Sequence, residues 1–138
     1  MTTVNKKILH IVNGEFFAGA EKVQHIVGTY FSDKNYDILF ATLFDGEFEK
    51  VCQGNRYKIK HFHMRSKFDL LVGIKIGKFI LQENYQIIHV HTVRSSIIGL
   101  IASLVSGAPI IEHVHSPVQR ESDKKIKNIL NYLLSRII

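Results

Sequence analysis

Cysteine is almost absent from this 138-residue chain: Cys52 stands alone. A single thiol excludes a disulfide framework within the chain and fits a reducing compartment, so the expected location is cytoplasmic. No long polar or low-complexity tract interrupts the sequence and no internal repeat is visible, which sets aside disorder and solenoid architectures. Long apolar runs are lacking too. None approaches the roughly 20 residues that cross a bilayer, and residues 1–7 lead into only a short apolar stretch, so no secretory signal is expected.

What remains is the composition of an ordinary globular domain, 46% hydrophobic and 22% charged, in a chain long enough to bury one core. A single domain over residues 1–138 is expected. The net charge is +6, from 18 Lys plus Arg against 12 Asp plus Glu. A basic surface suits nucleic acid, anionic lipid or a phosphorylated ligand. The basic residues are scattered except for Arg65, Lys67, Lys75 and Lys78, and for Lys124, Lys125 and Lys127. No aromatic-interleaved basic stripe is present, so no nucleic-acid partner is expected.

Apolar runs alternate with helical patterns along almost the whole chain. Residues 8–12 form a β-branched run closed by Asn13 and Gly14, and they read as a buried strand. Ala20, Val23, Val27, Tyr30 and Phe31 recur at helical spacing, as one core-facing stripe. A strand over 37–43 ends at Asp45-Gly46, followed by a short helix over 48–53 and a strand over 58–62. Leu70, Ile74, Gly77 and Leu81 mark a second long helix, and residues 87–91 the next strand. A third helix spans 95–106, with Ile97, Ile101 and Leu104 on one side, Ser95 as N-cap and Gly107 closing it. A strand over 110–114 follows, and then a strongly amphipathic helix carrying Ile126, Ile129, Leu130, Leu133, Leu134 and Ile137.

This order predicts right-handed crossovers and an α/β fold: a Rossmann-like parallel sheet with helices on both faces. Ligands bind beyond the C-terminal strand ends of such sheets. That rule selects residues 13–19, 89–94 and 113–117. The final apolar stripe runs to the last residue, so the chain reads as cut within a larger protein.

Three features in those segments can carry chemistry. The loop after the first strand holds Ala18 and Gly19 at a helix start, where backbone amides can approach a phosphate. The plainer reading is that Gly19 only permits a tight turn. Three His-x-His pairs occur: His61 with His63, His89 with His91, and His113 with His115. Residues i and i+2 of a strand share a face, so each pair can present two imidazoles together. No His-Glu-x-x-His or Cys-x-x-Cys accompanies them, and no metal site is expected. They read as satisfied strand-end histidines, or as groups for acid–base work or recognition of sugar hydroxyls. Finally, Thr92, Arg94, Ser95 and Ser96 follow His91. Arg94 can meet an anion, though a solvated arginine fits equally well. Nothing resembles a Ser-His-Asp triad.

With these residues in order, the chain resembles the N-terminal domain of glycosyltransferases of family 4. The carrying segments are Ile8-Leu9-His10-Ile11-Val12 with Ala18-Gly19-Ala20-Glu21, then Ile87-Ile88-His89-Val90-His91-Thr92, and last Gly107-Ala108-Pro109 leading to His113-Val114-His115-Ser116-Pro117. The resemblance implies a GT-B fold, in which an acceptor-side domain faces a donor-binding domain across a cleft. It implies that Ala18 and Gly19 approach the diphosphate of a nucleotide-sugar donor. His115 is the best match to the histidine beside the reacting sugar, with His113 the alternative, and His91, Thr92 and Ser116 complete the substrate-binding set. It further implies retention of anomeric configuration without a metal or other cofactor. Ala18 replaces the first glycine of the family's turn and Gln86 its usual aspartate.

The family's donor-side residues have no counterpart among these 138, so the chain alone is expected to be inactive. Expected partners are a sugar or lipid-linked acceptor, the missing C-terminal donor domain, and an anionic membrane surface on which residues 65–78 could rest peripherally. A solvated helix face is the plainer account of those charges. The expected product is a surface polysaccharide or glycolipid. The alternative is a stand-alone binding or scaffold module that pairs with a separate donor subunit through the stripe over 126–137.

Overall fold

Five short segments of the described sequence become the strands of one parallel sheet. The computed structural model describes residues 6–34, 36–55 and 57–113. The elements follow as β1 (Lys7–Val12), α1 (Gly19–Ser32), β2 (Asp37–Thr42), α2 (Glu47–Cys52), β3 (Lys58–His61), α3 (Leu71–Glu83), β4 (Ile87–Val90), α4 (Val93–Ser106) and β5 (Ile110–Glu112). All strand pairs are parallel, in the order β3-β2-β1-β4-β5. This is the expected Rossmann-like α/β fold. Its topological switch point lies between β1 and β4, where crossovers leave for opposite faces of the sheet and open a crevice.

Alternation along each strand divides the core in two. Leu9, Ile11, Leu39, Ala41, Ile88 and Val90 face Val72, Ile76 and Ile80 of α3 and Ile98 and Ala102 of α4. The opposite pleat sends Val12, Ile38 and Phe40 toward Phe48 and Cys52 of α2 and Tyr57, with Phe17 and Phe31 packed alongside. Burial of the Cys52 thiol pushes its pKa up, so it is an apolar packing group and a poor nucleophile.

Several helix details differ from the sequence reading. On α3 the buried line is Val72, Gly73, Ile76, Gly77 and Ile80, while Leu70, Leu71, Ile74 and Leu81 are exposed. The helix is apolar nearly all round, so hydrophobicity alone did not single out its packed face. The glycines decide it. A Cβ on Gly73 would lie 2.7 Å from Ile101 Cβ, and one on Gly77 would lie 2.6 Å from Val105 Cβ, so α4 nests against that side.

On α4 the buried residues are Ser95, Ser96, Ile98, Gly99 and Ala102, and Leu104 is 79% exposed. The helix starts two residues early. Thr92 is its N-cap and Ser95 the reciprocal partner in a capping box, so the capping role expected of Ser95 belongs to Thr92. Gly107 ends the helix in the left-handed conformation, as expected. On α1, Tyr30 is exposed and the fully buried positions are Gln24 and Gly28. Strand β3 stops at His61. The helix expected over 126–137 lies outside the described residues.

Candidate histidine-lined site at the switch point

The β1–α1 loop is shaped by close backbone contact. Gly14 has φ +92°, and a Cβ there would sit 2.4 Å from the Phe44 carbonyl oxygen. A Cβ on Gly46 would meet the Gly14 carbonyl oxygen at 2.4 Å. The amides of Glu47 and Phe48 donate to the carbonyls of Glu15 and Gly14, each at 3.3 Å. The loops after β1 and β2 are therefore pressed together.

Gly19 differs. A Cβ there would touch nothing within 4 Å, so neither steric crowding nor a positive φ calls for glycine. Ala18 precedes it as N-cap with no side-chain bond to the helix, leaving the first-turn amides without a side-chain cap at the C-terminal edge of the sheet. Both Ala18 and Gly19 are exposed.

The β4–α4 loop adjoins this edge. The Thr92 hydroxyl accepts from the Ser95 amide at 3.2 Å and donates toward Asn13 Oδ1 at 3.5 Å. Arg94 is partly buried and already has partners in this arrangement. Its guanidinium pairs with Glu15 at 3.3 Å and lies over the Phe44 ring at 5.0 Å. These contacts tie the two loops across the switch point.

Beneath the loops lies a group of imidazoles on one face of the sheet. His10 and His89 are register partners on β1 and β4, with ring centroids 4.7 Å apart. His91 follows at 4.2 Å from His89. His113, just past β5, lies 5.7 Å from His91 and 6.1 Å from His89. The structure brings the rings of His91 and His113 together. His115 and Ser116 lie outside the described residues.

Gln24 of α1 reaches down into this group. His10 Nδ1 bonds its Oε1 at 3.2 Å, and its Nε2 bonds His91 Nδ1 at 2.5 Å. An amide has a donor end and an acceptor end, so it sets the two rings in opposite tautomers. As oriented, His10 carries its proton on Nδ1 and His91 on Nε2. Burial pushes His10 down to about 3, helped by the neighbouring His89 and opposed by the Gln24 bond. It is a neutral imidazole at any physiological pH.

Sequence reasoning missed both Gln24 and the part His10 plays. The signal was present: Gln24 sits four residues after Ala20 and three before Val27, on the buried stripe of α1, where a polar residue needs a buried partner. His10 was read only as part of an apolar strand.

The same face opens into an apolar cavity of about 150 Å³, lined by Ile8, His10, Val27, Phe31, Ile87, His89 and Ile111. The remaining pair, His61 and His63, stacks at 5.6 Å on the far side of the sheet order, beside carboxylates. His61 Nε2 bonds Glu49, its Nδ1 bonds the Thr42 hydroxyl at 2.6 Å, and Asp45 lies 3.3 Å from Nδ1.

The model of the family described as glycosyl transferase 4-like matches residues 7–138. Among curated proteins, none matches the sequence. Solved structures share the fold. HepE from Anabaena, captured with UDP and glucose, superposes with a TM-score of 0.77 at 19% identity, over 97% of this chain and 36% of its own. MurG from Acinetobacter baumannii gives 0.72 at 14% identity, over 96% and 39%. The lipopolysaccharide outer core galactosyltransferase WaaB gives 0.62 at 20% identity, over 91% and 37%. The chain therefore spans a little over a third of the length of these structures.

Proposed function

Because the chain belongs to the glycosyl transferase 4-like family, we propose that it forms the acceptor-side half of a retaining, nucleotide-sugar-dependent hexosyltransferase. The observation that carries this reading is the uncapped start of α1. Gly19 has open space where a side chain would be, at the crevice where parallel sheets bind ligands. First-turn amides and the helix dipole suit the diphosphate of a donor. HepE, of like fold, is described with UDP-glucose, which supports a donor of that class.

In this reading Ala18 and Gly19 line the diphosphate path, while His91, Thr92 and His113 border the acceptor side. His115 and Ser116 complete the site beside the reacting carbon, with His115 orienting sugar and acceptor. Thr92 has a further duty as the cap of α4, so its replacement loosens the loop as well as the site. Stabilisation of the departing diphosphate needs cations and amides on both walls of the cleft. These residues supply one wall, so transfer requires a donor-binding domain and the 138 residues by themselves do not turn over.

The acceptor is a sugar or lipid-linked glycan precursor for surface polysaccharide or glycolipid. Membrane proximity on the cytoplasmic side belongs to the same proposal. Phe68, Leu71 and Ile74 are exposed among exposed Arg65, Lys67, Lys75 and Lys78, a combination suited to anionic interfaces at about 1 kcal/mol per basic residue. No helix of the described residues is long and apolar enough to cross a membrane. Sedimentation with anionic vesicles, weakened by salt, is expected; equal sedimentation with neutral vesicles removes the membrane claim.

The central test is Gly19→Asp in the enzyme assembled with its donor domain. A carboxylate at the first turn repels the donor diphosphate, and nucleotide-sugar turnover is expected to fall at least about a hundredfold. Unchanged turnover would remove the phosphate role of the loop.

A further inference from the structure

The His-x-His pairs, each taken alone, gave no reason to expect a metal. The folded chain changes the count, because β1 and β4 bring a third imidazole to the pair at His89 and His91. His10, His89 and His91 each offer a ring nitrogen, and these nitrogens lie within 4.8 Å of one another. We propose that His10, His89 and His91 form a binding site for a first-row divalent cation of the zinc class. This goes beyond the transferase reading and does not depend on it.

Four observations carry the site. His10 and His89 are register partners on adjacent strands and His91 follows directly after β4, so the sheet ladder fixes the backbone of the first two rings and anchors the third. His10 is buried on the central strand of the sheet, so its ring is held in one place. Gln24 accepts from His10 Nδ1, as second-shell partners do in metal sites, and the other end of the same amide reaches His91 Nδ1. The apolar cavity that opens beside His10 and His89 provides a path for entry and a dry surround.

Imidazole nitrogens with little sulfur or carboxylate nearby favour zinc, cobalt, nickel or copper over magnesium or calcium. Bonds of about 2.0–2.1 Å place ligand nitrogens roughly 3.3 Å apart in a tetrahedral site. The side chains must therefore close by an ångström or so. The half-buried His89, between the other two, is the ring with most room to move.

Gln24 gives the proposal a distinctive signature. Ligation through Nε2 requires the proton of His91 to move from Nε2 to Nδ1, so both Nδ1 atoms become donors toward residue 24. One amide oxygen accepts from only one of them in this geometry, whereas a carboxylate accepts from both. Gln24→Glu should therefore tighten the site although it adds no ligand.

The experiment is a Co²⁺ titration of the tag-free full-length protein, read by visible d–d absorption, with Zn²⁺ competition to count sites. One equivalent is expected. His89→Ala, at a half-buried position, is expected to abolish the band with the far-ultraviolet circular dichroism unchanged. His61→Ala, at the other histidine pair, should leave it intact, and Gln24→Glu should lower the Co²⁺ dissociation constant about tenfold. Absence of a band in the folded wild-type protein overturns the site. So does a band that survives His89→Ala, while an unaltered constant in Gln24→Glu overturns ligation through Nε2. Should His89→Ala fail to fold, His89→Gln provides the same loss of an imidazole with a polar group retained.

Discussion

Two histidine pairs with the same spacing stand in opposite surroundings. His89 and His91 lie beneath the switch point, joined by His10 and His113 and bridged by the amide of Gln24. His61 and His63 lie at the edge strand, where the side-chain partners are Thr42, Asp45 and Glu49. At the rim, carboxylates and a hydroxyl share the imidazoles. Inside, one neutral amide bonds one nitrogen of each of two rings and fixes where their protons sit. The spacing of two histidines along a strand therefore says that they share a face and nothing about their chemistry; the neighbouring element decides that. Here it is α1 on one side and α2 on the other.

The contrast breaks most sharply at Gln24. Gln24→Leu leaves two buried imidazole nitrogens without their amide, and urea denaturation should show a loss of about 2–4 kcal/mol. A loss below about 0.5 kcal/mol would mean that the bridge is ornamental.

Next in size is an acid sensitivity confined to the interior. His10 is lowered from 6.5 to about 3 in the fold, so between those values the unfolded chain binds the extra proton. Its contribution is fully present above about pH 6.5 and is lost as pH falls toward 3, by up to about 1.4 kcal/mol per pH unit. Urea midpoints at pH 7, 6 and 5 should decline in the wild type more steeply than in His10→Asn. Parallel declines would place the sensitivity elsewhere.

The smallest effect belongs to the rim. Glu49→Gln removes one charge from a contact whose carboxylate side chain is 40% exposed, and its cost should stay below about 1 kcal/mol. A cost matching that of Gln24→Leu would erase the distinction between the two pairs.

Most of the fold could be read from the sequence because its signals are local. β-branched runs, Gly107 after a helical pattern and the strand–helix alternation each depend on a few neighbouring residues, and the sheet follows from them by connection rules. The packed faces of α3 and α4 were not legible. Leu70, Ile74 and Leu104 are as hydrophobic as the residues that are buried, and only the approach of Gly73 and Gly77 to the partner helix selects the other side.

The candidate site was legible in part. Motif order brought out Gly19, His91 and His113, whereas His10 and Gln24 join the group through contacts 14 and 67 residues apart along the chain. No window of sequence contains such a pairing. Arg94 illustrates the same limit: its partner Glu15 is 79 residues away, beyond any local window of sequence.

The pressing of Gly14 against the Phe44 carbonyl, and of Gly46 against the Gly14 carbonyl, bears on how a ligand is received. A loop wedged between two backbones has few conformers to surrender. Association at the start of α1 should then carry only a small unfavourable entropy from loop ordering, and calorimetry on Gly46→Ala, which levers the wedge open, should show that entropy grow while the contacts made by the bound molecule stay the same.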